Sequence, residues 1–140
     1  MFLVQTIYYS EVNASLTAKD IEQILLSSRK NNANKQLSGI LAFNGQYFLQ
    51  ALEGLRSEVC ETLSVIAKDP RHNAIYITSH REIAERDFSG WDMAYVGQSK
   101  FNRERMLRFS GHGDFVPSML SGASSLALLK SLATHAEDIK

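Results

Sequence analysis

The sequence predicts an α+β domain whose elements follow one another as β-α-β-β-α-β-β, and three observations carry that prediction. Residues 2–9 form a run rich in Val, Ile, Tyr and Phe that is apolar on both faces. Two amphipathic segments with helix start or stop signals interrupt the strand-like runs. The pair Asn44-Gly45 joins two further apolar runs, the strongest short hairpin signal in a sequence. This order is ferredoxin-like with one added strand, and it puts both helices on one sheet face.

Taken with a two-residue period, the first strand carries Val4, Thr6, Tyr8 and Ser10 on one side and Leu3, Gln5, Ile7 and Tyr9 on the other. Neither side is purely polar, so both faces of the sheet are expected to be covered. Thr17 then opens a helix as N-cap, with Asp20 at the third helical position and Leu16 placed to staple onto Ile21. Ile21, Ile24, Leu25 and Ser28 form its inner stripe. Arg29-Lys30-Asn31-Asn32 puts cations at the negative end of the helix dipole and asparagine where the helix is expected to stop.

Leu37–Phe43 and Tyr47–Glu53 are the hairpin strands, with Phe48, Gln50 and Leu52 sharing a face and Gly54 ending the second. A second helix is expected over Ser57–Lys68, with Val59, Leu63, Ile66 and Ala67 on one stripe and a stop before Pro70. Strand signals return at Ala74–Ser79 and Trp91–Val96, separated by the polar stretch His80–Gly90. Residues 100–109, led by Phe101, Met106 and Leu107, and 121–136, led by Leu126, Leu129 and Leu132, read as a helical pair. Packed on the far face of the sheet, that pair explains the two-sided strands. The division is therefore a core at residues 1–96 and a C-terminal helical extension at 97–140.

The bulk numbers restrict the function. A chain of 140 residues with 44% hydrophobic content suits one core. Fifteen basic and fifteen acidic residues cancel, which gives no electrostatic ground for nucleic acid or an anionic membrane as main partner. The first ten residues lack a signal-peptide pattern, no apolar run reaches membrane-spanning length, and the single cysteine, Cys60, fits a reducing compartment. A cytoplasmic protein is the expectation. The four histidines are dispersed without metal-ligand spacing. Gly111-His112-Gly113 lacks the context of a phosphate loop, and no pair of carboxylates stands out. The residues point to no enzyme.

What remains is a group of polar residues placed where the two helices should lie: Tyr8, Ser10, Gln50, Asn31 and Asn32. A buried glutamine and a buried phenol need partners, and an amide, being both donor and acceptor, can bridge a phenol and a heteroaromatic ligand. The alternatives are a core tyrosine, a solvent-facing Gln50 and an asparagine pair that only caps a helix. From the residues alone the reading stops at a ligand pocket between two helices.

At these residues the sequence resembles the BLUF family of blue-light photoreceptors. The resemblance runs through Tyr8-Tyr9-Ser10, Asn31-Asn32, Leu37-Ser38-Gly39, Phe48-Leu49-Gln50-Ala51-Leu52-Glu53-Gly54, Asp69-Pro70-Arg71-His72 and Phe88-Ser89-Gly90-Trp91-Asp92-Met93. Phe109-Ser110-Gly111, Pro117-Ser118 and the leucine-rich final helix resemble the tail of short, PixD-type members. The resemblance implies FAD bound non-covalently, its ring between Ile24 and Ile66 and its polar edge on Asn31 and Asn32. It implies Arg71 and His72 along the ring and ribityl side with Asp69 nearby, Tyr8 as electron and proton donor, and Gln50 as the switching amide. Ser10, Trp91 and Met93 would carry the change onward, the last two sharing strand parity.

Two positions depart from the family pattern. Ser38 stands where threonine is frequent, and Val65 where some members carry an arginine toward the phosphates, a contact that Arg29 and Lys30 would take over. The implied output is contact with a regulatory protein, response-regulator-like or a transcription regulator, together with self-association into a homo-oligomer. The rivals are a small flavin-dependent oxidoreductase and a cofactor-free interaction module.

Overall fold

A computed structural model describes residues 2–13 and 16–135. The elements are β1 (Leu3–Val12), α1 (Ala18–Lys35), β2 (Ser38–Phe43), β3 (Tyr47–Leu55), α2 (Arg56–Ala67), β4 (His72–Ile83), β5 (Ala94–Val96), α3 (Arg103–Phe109) and α4 (Gly122–Ala133). Two short 3-10 turns, Gln98–Lys100 and Pro117–Met119, flank α3. The five strands lie in the order β4-β1-β3-β2-β5. All neighbours are antiparallel except β2 and β5, which run parallel. This is the α+β, ferredoxin-like arrangement with one added strand.

Strand alternation sorts the apolar residues into two layers. Val4, Tyr8, Leu41, Phe43, Phe48 and Leu52 pack with Leu25 of α1 and Val59 and Leu63 of α2. Their neighbours in sequence, Ile7, Ile40, Ala42, Leu49 and Ala51, pack with Met106 of α3 and Leu128, Leu129 and Leu132 of α4. The sheet is thus covered on both sides, as its two-sided strands require. Each fully buried leucine of α4 contributes about 1.5–3 kcal/mol of apolar burial.

Local chemistry sets the element ends. Thr17 Oγ1 accepts from the Asp20 amide at 3.1 Å, and Asp20 Oδ2 accepts from the Thr17 amide at 2.8 Å, a complete capping box. That same backbone contact lowers the Asp20 pKa. In the hairpin, Asn44 Oδ1 accepts from the Gln46 and Tyr47 amides at 3.0 and 2.8 Å, while Gly45 takes φ +96°.

Several boundaries differ from the sequence expectation. α1 does not stop at Asn31-Asn32 but continues to Lys35, and Gln36 in the left-handed region ends it. Asn32 faces the core there, so its local stopping tendency is overridden by burial. β3 runs through Gly54 to Leu55, because the chain passes directly from strand into α2. β4 extends through His80 to Ile83; its polar composition suits an edge strand paired only with β1. β5 is confined to Ala94–Val96, which leaves Trp91, Asp92 and Met93 outside any strand. The final helix ends at Ala133, and residue 136 of the expected span lies outside the described residues. Among the described residues no helix is long and apolar enough to cross a membrane.

Candidate functional site

Between α1 and α2, over β1 and β3, lies a cavity of about 250 Å³. Helical spacing builds one wall: Ile24, Ser27, Ser28 and Asn31 recur at the three- and four-residue intervals of one α1 face. Thr62, Val65 and Ile66 build the facing wall from α2. Tyr8 of β1 and Leu41, Phe48, Gln50 and Leu52 of β2 and β3 form the base, and Asp69, Arg71 and His72 close one end. The cavity is an apolar slot with a few convergent polar groups, the usual form of a small-ligand site.

Tyr8 and Gln50 stand directly opposite each other in the β1–β3 register, and the buried phenol donates to Gln50 Oε1. In this arrangement the carbonyl end of the amide faces the phenol. Nε2 is thereby turned to Met93 Sδ, at 3.6 Å. Burial holds the Tyr8 pKa well above the ordinary phenol value, and the negative charge of Asp69 adds to the effect. The phenol is neutral.

Asn31 Nδ2 donates to Thr62 Oγ1 at 3.2 Å, joining the two helices, and to Asn32 Oδ1 at 3.3 Å. Asn32 Nδ2 donates to the Asp92 carbonyl at 2.5 Å. At the closed end Arg71 grips Asp69 with Nε at 2.9 Å and Nη2 at 2.5 Å, a two-point ion pair. The Arg71 hydrogen bond holds the Asp69 carboxyl below its usual range, and Asp69 raises the guanidinium in turn. His72 Nε2 lies 2.7 Å from the Ile66 carbonyl, which can only accept, so this nitrogen carries the proton. In the neutral ring Nδ1 then accepts from the Ser10 hydroxyl at 2.8 Å.

Of the residues singled out in the sequence, Tyr8, Ile24, Asn31, Asn32, Gln50, Ile66, Asp69, Arg71 and His72 all line this one cavity. Arg29 and Lys30 do not. Arg29 Nε donates to the Met93 carbonyl at 3.1 Å, and Lys30 is exposed. With α1 unbroken, positions 29 and 30 rotate off the 24–28–31 face. Trp91 and Met93 do not share a face either: Met93 packs in the cavity-side layer, whereas half-buried Trp91 packs in the α3–α4 layer. Ser10 reaches the cavity through His72. Ser27 and Thr62 line the cavity as well, as does Val65, and the intervals 24–27–28–31 and 62–65–66 are the signal in the sequence that marks them.

Residues 3–94 match the family described as sensors of blue-light using FAD. The chain belongs to the BLUF family. Over 70 residues it is 36% identical to the blue light- and temperature-regulated antirepressor BluF of Escherichia coli (strain K12), covering 50% of this chain and 17% of that one. The chain spans less than a fifth of the length of the curated relatives it matches, at 17%, 9% and 10%. Solved structures of similar size also match. The dark-state structure of the BLUF protein BlrB superposes with a TM-score of 0.74 at 31% identity, covering 96% of both chains. The photo-activated state of BlsA gives 0.87 at 28% identity, covering 99% of both.

The family is one of blue-light sensors that use FAD, which favours that reading over the oxidoreductase and cofactor-free ones. The cavity fits the flavin's chemistry. Its slot between aliphatic walls suits a flat ring, its asparagine side carries donors suited to a heterocycle's carbonyl edge, and its base presents a neutral phenol bonded to an amide.

Proposed function

We propose that this cavity holds the isoalloxazine ring of FAD between Ile24 and Ile66, and that Tyr8 and Gln50 form the light-operated switch. The observation that carries the reading is the buried Tyr8–Gln50–Met93 chain at the cavity base. Asn31 and Asn32 hold the polar edge, while His72, Arg71 and Asp69 line the ribityl side. Blue light turns the bound flavin into a strong one-electron oxidant. Tyr8 would be the electron donor to it, and the phenol proton, held on Oη against Gln50 Oε1, would have that bond to move along. Gln50 Nε2 faces a thioether, a weak acceptor, so redirecting that N–H costs little. Rotation or tautomerisation of the amide exchanges a donor for an acceptor without moving the backbone.

The output runs through protein contacts. Residues 1–96 are the FAD-binding core, and 97–140 are the extension through which a regulatory protein, response-regulator-like or a transcription regulator, is engaged. The antirepressor relative, by its name, supports an output of this kind. Homo-oligomerisation and a cytoplasmic setting without direct nucleic-acid or membrane binding complete the reading.

Tyr8→Phe tests the switch, since it keeps the ring and removes the hydroxyl. FAD should remain bound, as read by absorption of the purified protein, and the red-shifted state under blue light should vanish. A normal photocycle in Tyr8→Phe would show the phenol to be structural.

A further inference from the structure

On the sheet face opposite the cavity, β1 and β3 carry a second polar pair. Gln5 and Glu53 stand opposite each other in the register that pairs Tyr8 with Gln50, and both are fully buried. Glu53 Oε2 accepts from Gln5 Nε2 and from the Asp87 amide, each at 2.8 Å. Its Oε1 accepts from the Ser38 hydroxyl at 3.1 Å and the Phe88 amide at 2.9 Å. The donor roles are fixed by outer neighbours. Arg86 Nη1 donates to Ser38 Oγ at 2.9 Å, so the serine proton points to Glu53. Arg81 Nε donates to Gln5 Oε1 at 3.1 Å, so the other end of that amide faces Glu53 and Asp87.

Glu53 therefore grips the β4–β5 connection at residues 87 and 88. Further along, the Trp91, Asp92 and Met93 carbonyls accept from the Gly39 amide, Asn32 Nδ2 and Arg29 Nε. The segment that delivers Met93 to Gln50 is thus held at one end by the strand that bears Gln50 and at the other by β2 and α1. We propose that Glu53 is a positioning residue for the switch: it sets where Met93 stands against Gln50 and couples that contact to the opposite sheet face. This rests on the reading of Gln50 as the switching amide.

The test uses the full chain with bound FAD and two readouts: the dark-recovery rate of the light-induced shift, and hydrogen exchange at the Asp87 and Phe88 amides. In Glu53→Gln the new NH₂ faces one of the two backbone amides, so the grip on residue 87 or 88 is lost while the remaining oxygen keeps the other. A less constrained Met93 frees Gln50 to rotate, so recovery should quicken by about tenfold, with exchange rising at least as much at the amide that loses its acceptor. Leu128→Ala, which removes packing from the α4 layer, should lower the melting temperature yet leave recovery within about twofold. Equal changes in both variants would reduce Glu53 to a structural role and overturn the proposal. Should Glu53→Gln fail to fold, Ser38→Ala decides, with recovery about threefold faster expected from the loss of one donor. Parent-like recovery and exchange in Ser38→Ala would then overturn it. A parent chain without any shift overturns the switch reading and this proposal together. A parent with the shift and an unaffected Glu53→Gln overturns this proposal alone.

Discussion

At the scale of single residues, the proposed switch turns on an amide that has a donor end and an acceptor end. Tyr8 donates to Gln50 Oε1, and Nε2 faces Met93. Gln50→Leu keeps the size and removes both functions, so absorption spectroscopy should find FAD retained and the light-induced shift absent. A retained shift would move the switch to another residue. The raised Tyr8 pKa has a signed consequence. Burial favours the protonated phenol in the folded state, so its contribution to stability is complete below the unfolded value of about 10 and is lost as pH rises above it. The amplitude of the shift should accordingly stay constant up to about pH 10, and a titration with a midpoint near neutrality would contradict the assignment. Asp69 has the opposite sign: its carboxyl is held low by Arg71, so what it contributes fades as pH falls below about 4. Both partners are partly exposed, and that contribution is small.

At the scale of elements, the helices read clearly where local chemistry decides and poorly where tertiary contacts do. The Thr17–Asp20 box and the Asn44-Gly45 turn are local, and both are legible in sequence. The end of α1 is not, because Asn31 and Asn32 carry stop signals but find partners in Thr62 and the Asp92 carbonyl. Trp91–Met93 has the composition of a strand, yet its three carbonyls are taken by β2 and α1, which only the folded chain brings near. The cavity residues on α1 follow from helical period alone; the Tyr8–Gln50 pairing needs β1 beside β3, a choice that no local pattern encodes. The docking of α4 gives a test of its own. A Cβ on Gly122 would lie 2.7 Å from the Thr78 carbonyl oxygen, so Gly122→Ala must push the helix off β4. A thermal melt should show a loss of about 1–3 kcal/mol, with the flavin shift unchanged because the cavity lies on the other face.

At the scale of the whole molecule, one five-stranded sheet separates two layers with different tasks. The α1–α2 layer contains the cavity, and the α3–α4 layer covers the face on which Gln5, Glu53 and Asp87 are joined. β1 and β3 at the centre carry a polar pair on each face, so a change at one is mechanically adjacent to the other. Packed layers of this kind respond by switching between discrete arrangements rather than by bending continuously. Family membership rests on the match over residues 3–94, and the assignment of the switch rests on the Tyr8–Gln50–Met93 chain. Both meet in one measurement, the absorption spectrum of the purified full chain before, during and after blue illumination. The account predicts a yellow protein whose oxidised flavin spectrum shifts to the red in light and returns in darkness without net reduction. A chain that stays colourless when FAD is added, or a flavin that bleaches without shifting, would contradict it.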